Sequence, residues 1–243
     1  VLQDRIAVIP PGIYPERFSK RTDVAADKRA WEVEGKKLIL FGGRLARRKG
    51  VKEFIENSLR HIVSEIPDAV FLIAGDNPTE SLTHRDDLVG EINAVVSSLG
   101  LENHVRLLGS VSDEDLVKLY WACDLVVLPA LEMKDDVEGF GIVALEAAAA
   151  GRPVVAMRVG GIPDSGEDGQ SGILVEAMNY KKFTEAILRL LNDSLASDAM
   201  GEAGRRRAER EFGWKKTVDK YKIAFGRVTA PKPIRESPSA QVE

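Results

Sequence analysis

Residues 139–157 read GFGIVALEAAAAGRPVVAM and join a helical pattern to a strand-like one. Gly-Phe-Gly opens an alanine-rich helix, and PVVAM (153–157) is apolar on consecutive residues. Such a run is typical of a parallel strand that is covered on both faces. Glu138 immediately precedes this helix, and Glu146 lies within it. Neither carboxylate helps to bury the apolar face of the helix. These two glutamates therefore need another explanation.

The same alternation of strand and helix runs along most of the chain. It predicts a doubly wound, Rossmann-like α/β domain with a parallel sheet, in which ligands bind at the carboxyl ends of the strands. The predicted helices cover 51–65, 83–99, 112–122, 179–192, 194–212 and 213–226, with Ser112 as a cap. The predicted strands are RIAVI (5–9), KLILF (37–41), AVFLIA (69–74), HVRLL (104–108), DLVVL (124–128) and PVVAM (153–157).

Composition limits the classes of function. The 243 residues are 44% hydrophobic and 30% charged, as in a soluble globular protein, and the net charge of −4 gives no support to nucleic-acid binding. Cys123 is the only cysteine, which is compatible with a reduced, cytoplasmic setting. No apolar run approaches the roughly 18 residues of a membrane span. Because Val1 opens directly into strand-like sequence, we expect a piece of a longer protein.

A basic loop follows the predicted strand at 37–41. It reads GGRLARRKG (42–50), and two glycines allow a ligand to approach the backbone closely. Four cations suit an anion such as a diphosphate, although a solvated basic loop is the alternative. The spacing of Gly, Lys and Ser/Thr is not that of a P-loop. The cations are Arg44, Arg47, Arg48 and Lys49.

The start of the alanine-rich helix complements this loop. The amides of Gly139, Phe140 and Gly141 lack acceptors within the helix and form a potential anion site. A carboxylate beside that site favours a neutral polyol, so Glu138 is predicted to bind sugar hydroxyls. Glu146, predicted to lie about 8–9 Å into the helix, could hold a vicinal diol such as ribose. The alternative is that Glu138 is an N-terminal glutamate favoured by the helix dipole and that Glu146 is a solvated mid-helix glutamate.

Glu138-x7-Glu146 around Gly-Phe-Gly, together with Arg44-x4-Lys49, resembles the signature of retaining glycosyltransferases of family 4. Those enzymes have the two-domain GT-B fold. The resemblance covers nearly all of residues 5–226, because further segments match in order and spacing. They are VIPPGIYPERF (8–18), HVRLLGSVSDEDLVKLYWACDLVVLPA (104–130), GRPVVAMRVGGIPDSGEDGQSGILV (151–175) and FGWKKTVDKY (212–221).

The resemblance implies a role for each matching residue. Arg44 and Lys49 would grip the donor diphosphate, and Glu138 would contact the transferred sugar; these three are the catalytic candidates. Glu146 would hold the ribose, and the other donor-binding positions act through the main chain. The latter are Gly43, Gly139, Phe140 and Gly141 beside the sugar and phosphate, and Leu108 and Gly109 beside the nucleobase. The family needs no metal or cofactor.

Several residues depart from this pattern or remain open. For Gly160 and Gly161, two interpretations are equally favoured: they are plain turn residues, or they contact the ligand. The loop 130–141 is longer than is usual in the family, and its acids form a solvated flap or, less favoured, a metal site. No catalytic arrangement involves the histidines, and Cys123 is expected to be buried. The acids are Glu132, Asp135 and Asp136, and the histidines are His61, His84 and His104.

The resemblance implies that residues 1–226 form the donor-binding, carboxyl-terminal half of a glycosyltransferase that retains anomeric configuration. Residues 227–243 would be a disordered tail, and the amino-terminal acceptor domain would be absent, leaving this fragment inactive alone. The expected location is cytoplasmic, with membrane contact through the absent domain left open. Alternatives are a nucleotide-sugar epimerase or sugar phosphorylase of this fold, and a non-catalytic nucleotide-sugar-binding module. The donor base, the sugar and the acceptor remain open.

Overall fold

The structure is a computed structural model that describes residues 6–19, 23–77, 87–166 and 168–229. Six parallel strands form one sheet in the order β3-β2-β1-β4-β5-β6. The order reverses between β1 and β4, which is where doubly wound sheets bind their ligands. The strands are β1 Lys37–Gly42, β2 Ala69–Ala74, β3 Val105–Gly109, β4 Leu125–Leu128, β5 Val154–Arg158 and β6 Gly172–Glu176.

Helices cover both faces of the sheet and confirm the predicted α/β class. A π-helical turn, Ile55–Leu59, joins the second and third helices into the segment predicted at 51–65. The helices are α1 Val24–Ala30, α2 Val51–Phe54, α3 Arg60–Glu65, α4 Leu88–Leu99, α5 Asp113–Ala122, α6 Ile142–Ala149, α7 Ile162–Ser165, α8 Tyr180–Asn192, α9 Ser194–Glu211 and α10 Trp214–Thr229.

The core lies along β1, β2 and β4, whose consecutive apolar side chains are buried on both faces. On one face the Phe54 ring packs edge-on against Phe71 and Phe183, with centroids 4.8 and 5.9 Å apart. Tyr120 is also fully buried and packs against Phe18. This burial holds the carboxyl ends of the strands, and the loops that leave them, in place.

Two strand assignments need correction. Residues 6–9 of the predicted strand RIAVI form no strand, and Ile6 and Val8 are 60% and 84% exposed. Strand composition alone is insufficient because a strand needs a neighbour, and residue 5 lies outside the described residues. Conversely, β6 was not predicted, although GILVE (172–176) is an apolar run that could have indicated it. The helix α1 was also not predicted, because none of its residues is fully buried.

Helix ends follow local capping. The Ser112 hydroxyl accepts a hydrogen bond from the Asp115 amide, as predicted for α5. The helix predicted at 83–99 begins at Leu88, with Asp87 as its cap, and 83–86 lie outside the described residues. The helix α10 includes 227–229, so it enters the segment predicted as a tail; 230–243 are not described. None of the described helices has the length and apolarity to cross a membrane.

Candidate functional site

Two loops meet where the strand order reverses. The β1–α2 loop (43–50) and the β4–α6 loop (129–141) are in backbone contact, since the Leu131 amide donates to the Arg48 carbonyl across 2.8 Å. Gly50 is left-handed (φ 65°), and a β-carbon there would overlap the Pro129 carbonyl oxygen. Glycine at this position therefore allows the basic loop to pack against the loop that carries Glu138.

Glu138 is buried and paired with Lys49. Lys49 Nζ lies 2.8 Å from Glu138 Oε2, and Arg48 Nε lies 3.4 Å from the same oxygen. Only 8% of Glu138 is exposed, so its carboxylate is largely shielded from solvent. Lys49 and Glu138 were predicted to contact different parts of one ligand, the diphosphate and the sugar. In this structure the two side chains contact each other instead.

The remaining cations of the β1–α2 loop differ in their partners. Arg47 Nη2 pairs with Glu91 Oε1 at 2.7 Å, and Arg48 Nη1 pairs with Asp136 Oδ2 at 3.1 Å. Arg44 is exposed, and in the described ranges no carboxylate forms an ion pair with it. An anion could therefore contact Arg44 at once, whereas Lys49 must first leave Glu138.

The acidic part of the β4–α6 loop is only partly the solvated flap expected from sequence. Glu132 and Asp135 are exposed, but Asp136 is half-buried against Arg48. Within the described ranges, no three His, Cys, Asp or Glu side chains are grouped as a metal site requires.

A small pocket of about 50 Å³ is lined in part by the Lys49–Glu138 pair. Lys49 and Glu138 are the charged residues of its lining, and the others are apolar or glycine. The lining residues are Phe41, Lys49, Leu128, Ala130, Glu138, Gly141, Ile142, Val143 and Ile162.

The helix start beside this pocket presents free amides. Gly141 is the left-handed N-cap of α6 (φ 70°), so the helix begins at Ile142 and Gly139 and Phe140 precede it. The amides of Gly139, Phe140 and Gly141 donate to no acceptor in the described part of the chain. With the positive end of the eight-residue helix, they form a site that favours an anion.

Gly160 and Gly161 brace this segment from the loop after β5. The Gly161 amide donates to the Glu138 carbonyl across 3.1 Å. β-carbons on Gly160 and Gly161 would overlap the carbonyl oxygens of Glu138 and Gly139, respectively. The structure thus gives both glycines a role that neither alternative included: they allow two loops to pack closely.

Glu146 lies one turn inside α6, about 6 Å from its start rather than the predicted 8–9 Å, because the helix begins later. The Tyr120 hydroxyl donates to Glu146 Oε2 across 2.9 Å. Burial raises the pKa of the Glu146 carboxyl, and the Tyr120 hydrogen bond and the charge of Arg17 oppose this shift only in part. Burial, and then the Glu146 charge, raise the pKa of Tyr120 well above its ordinary value.

The carboxyl ends of β3, β2 and β1 continue the same edge. Gly109 is left-handed (φ 65°) and bridges to Gly75, where a β-carbon would overlap the Gly43 carbonyl oxygen. Leu108 is half-buried beside them. Three strand spacings separate β3 from β4, or about 14 Å. The predicted residues gathered along this edge are Gly43, Arg44, Lys49, Leu108, Gly109, Glu138, Gly139, Phe140, Gly141 and Glu146.

The remaining reactive side chains lie elsewhere. His61 is exposed on α3, and His104 Nδ1 lies 3.0 Å from the Ala69 carbonyl; His84 is outside the described residues. Cys123 is buried as predicted, and burial raises the pKa of its thiol to about 12. Tyr120 was missed as a site residue because it does not stand out within a helical pattern. Arg48 was named only as one of four loop cations, and its contact with Glu138 was not predicted.

The fold is an α/β domain of the Rossmann-like class, with free amides and charged side chains along the edge of the sheet where such folds bind ligands. The chain belongs to the family of glycosyl transferases group 1, whose profile matches residues 23–207. It is 35% identical over 219 residues to a D-inositol 3-phosphate glycosyltransferase of Corynebacterium urealyticum, a match covering 88% of this chain and 49% of that protein. A GDP-mannose-dependent monoacylated alpha-(1-6)-phosphatidylinositol monomannoside mannosyltransferase of Corynebacterium glutamicum is 31% identical, over 85% of this chain and 52% of that protein.

Solved structures show the same fold. HepE of Anabaena, crystallised with UDP-glucose, matches with a TM-score of 0.78 and 24% identity over 93% of this chain and 57% of that one. The carboxyl-terminal domain of LpcC, a group 1 glycosyl transferase of Francisella tularensis, matches with a TM-score of 0.70 and 24% identity. That match covers 83% of this chain and 99% of the LpcC domain. The chain spans about half the length of the curated relatives it matches.

Proposed function

We propose that this chain is the donor-binding, carboxyl-terminal half of a retaining family 4 glycosyltransferase, with a nucleotide-diphosphate sugar as donor. The observation that carries the proposal is the Lys49–Glu138 pair beside the free amides of α6. Cationic and amide donors for an anion lie next to a carboxylate for hydroxyls. A sugar diphosphate presents these two chemistries side by side.

The donor would extend along the carboxyl edge of the sheet. The base would lie at the end of β3, and the ribose diol at Glu146. The diphosphate would lie at the α6 amides with Arg44 and Lys49, and the sugar would reach Glu138. The distance of about 14 Å from β3 to β4 accommodates an extended nucleotide sugar. This assignment gives each predicted donor-site residue a part of one ligand.

Leaving-group stabilisation would be this domain's main catalytic contribution. As the bond from the sugar to the diphosphate breaks, negative charge grows on the leaving phosphate. Arg44, Lys49 and the amides would stabilise that charge without a metal. Glu138 would orient the sugar, and the leaving phosphate would accept the acceptor's proton on the same face, which retains configuration.

The relatives support a nucleotide-sugar donor but differ in its base. HepE was crystallised with UDP-glucose, whereas the Corynebacterium glutamicum relative is named as GDP-mannose-dependent. The acceptor-binding groups would come from a second domain, since the matched relatives are about twice as long as this chain. We therefore assign no base, sugar or acceptor.

Lys49→Ala tests the diphosphate assignment by calorimetry on this chain. The variant should bind UDP, GDP or ADP about 1.5–3 kcal/mol more weakly, the scale of a charged hydrogen bond. It should bind the parent nucleoside nearly as well as before. Lys52→Ala is the matched control, because Lys52 pairs with Glu91 outside the pocket. Equal losses for nucleoside and diphosphate, or no loss for either, would contradict the proposed function.

A further inference from the structure

Arg48 holds the β4–α6 loop at both ends. Its carbonyl accepts the Leu131 amide near the start of that loop. At the other end its guanidinium contacts two carboxylates, with Nη1 donating to Asp136 Oδ2 at 3.1 Å and Nε lying 3.4 Å from Glu138 Oε2. Only 16% of the Arg48 side chain is exposed. Unlike Arg44, it is directed at the protein rather than at solvent.

Glu138 is shared between two cations. Lys49 Nζ lies 2.8 Å from Oε2, the oxygen that also faces Arg48 Nε. If Lys49 moves to a diphosphate, this buried carboxylate loses its nearest cation. A buried carboxylate without a partner is strongly unfavourable, so the loss would oppose ligand binding. Another donor would have to replace Lys49.

The Nε–H group of Arg48 is a hydrogen-bond donor that could replace Lys49. Within the described part of the chain, Arg48 Nε is buried and forms no hydrogen bond, although it lies 3.4 Å from Glu138 Oε2. A small reorientation of the guanidinium would direct this N–H at the oxygen and shorten the contact. A guanidinium can bond Glu138 and Asp136 together through separate nitrogens.

We propose that Arg48 is a positioning residue: it becomes the cationic partner of the Glu138 carboxylate when Lys49 binds the donor's diphosphate instead. The proposal rests on the proposed function, since it requires an anion that attracts Lys49. Arg48 does not bind the nucleotide itself. It compensates the charge that Lys49 leaves behind and keeps Glu138 in place for the sugar.

A double-mutant cycle tests this role. The affinities of UDP and GDP would be measured by calorimetry for this chain, for Arg48→Met, for Glu138→Gln and for the double variant. Arg48→Met should weaken binding about tenfold, the scale of one charged hydrogen bond. In the Glu138→Gln background the same substitution should change affinity less than about twofold, because no carboxylate then needs a partner.

The results separate the possibilities. An equal loss in both backgrounds would mean that Arg48 contacts the nucleotide directly, and no loss in either would mean that Glu138 needs no second cation; both overturn the proposal. Arg48→Lys keeps the charge and covers the case in which Arg48→Met unfolds. Because lysine lacks the separate nitrogens of the guanidinium, Arg48→Lys should lose some affinity but clearly less than Arg48→Met. A loss as large as that of Arg48→Met would also overturn the proposal. Failure of the proposed function appears separately, as unchanged diphosphate affinity in Lys49→Ala.

Discussion

The Tyr120 hydroxyl on α5 donates a 2.9 Å hydrogen bond to Glu146 Oε2 on α6. The bond crosses from one helix to another beside the end of β1 and orients a carboxylate that is otherwise half-buried. Because the tyrosine is fully buried, its hydroxyl has little access to water and needs this acceptor. Glu146 is therefore held in one orientation before any ligand arrives.

We expect the Glu146 charge to lower stability at neutral pH. Burial raises the carboxyl pKa above its ordinary 4.5, so the folded chain binds this proton more tightly than the unfolded chain. The free energy of unfolding therefore falls as pH rises from 4.5 through the higher folded pKa. Glu146→Gln should melt higher than the unsubstituted chain at pH 7–8, by about 2–4 °C for each kcal/mol of penalty removed.

Melting curves from pH 4 to 8 check this prediction. The advantage of Glu146→Gln should shrink on acidification and vanish near or below the ordinary carboxyl pKa, where both states hold the proton. Glu132→Gln, an exposed acid, is the control. A difference that does not change with pH would show that charge is not the cause.

A second prediction concerns the ribose. Glu146→Ala should weaken binding of a ribonucleoside diphosphate by about 1–3 kcal/mol, because a carboxylate that accepts hydrogen bonds from a vicinal diol is lost. A 2′-deoxynucleoside diphosphate lacks one of those hydroxyls and should be affected less. Calorimetry with both ligands gives the comparison. The same loss for both would place Glu146 away from the ribose 2′-hydroxyl.

A third prediction concerns the support under the Glu138 loop. Gly161→Ala should destabilise the chain by about 1–3 kcal/mol, the usual cost of overpacking, because its β-carbon would overlap the Gly139 carbonyl oxygen. Gly166→Ala is the matched control, since its β-carbon would meet no atom within 4 Å and its φ of −134° suits alanine. Urea unfolding measures both. Equal stability of the two variants would contradict the close packing.

The apolar face of α10 leads to a fourth prediction. Trp214, Val218, Tyr221 and Phe225 follow one another at spacings of four, three and four residues, which places them on one stripe of the helix. All four are exposed, whereas Thr217 is buried. An exposed apolar stripe promotes association. We expect this chain to self-associate through α10, and Tyr221→Ser with Phe225→Ser to weaken that association at least about tenfold.

Sedimentation velocity measures this association, with Lys222→Ser as an exposed control on the same helix. Hydrogen exchange adds an independent measurement. A strictly monomeric chain with slow exchange across 214–225 would contradict the prediction. Fast exchange that slows when the proposed amino-terminal domain is present would identify that domain as the partner of α10.

Local patterns were sufficient to predict five strands and most helices. Consecutive apolar residues in KLILF and AVFLIA indicate burial on both faces, and Ser112 indicates the start of a helix. Parallel connections then bring every strand-to-helix loop to one edge, which is where the resemblance to the family had assigned the candidate site residues. The prediction of a strand was wrong for residues 6–9, because a strand forms only where its backbone pairs with a neighbour, whatever its composition.

The sequence by itself determined the fold class and the edge of the sheet where the charged loops gather. Only the tertiary structure decided which charges neutralise one another. Lys49 and Glu138 are far apart in sequence but belong to neighbouring loops because β1 pairs with β4. The same packing places Tyr120 against Glu146 and leaves Arg44 exposed. Side-chain periodicity is a local property, whereas the partner of a buried charge depends on which strands become neighbours.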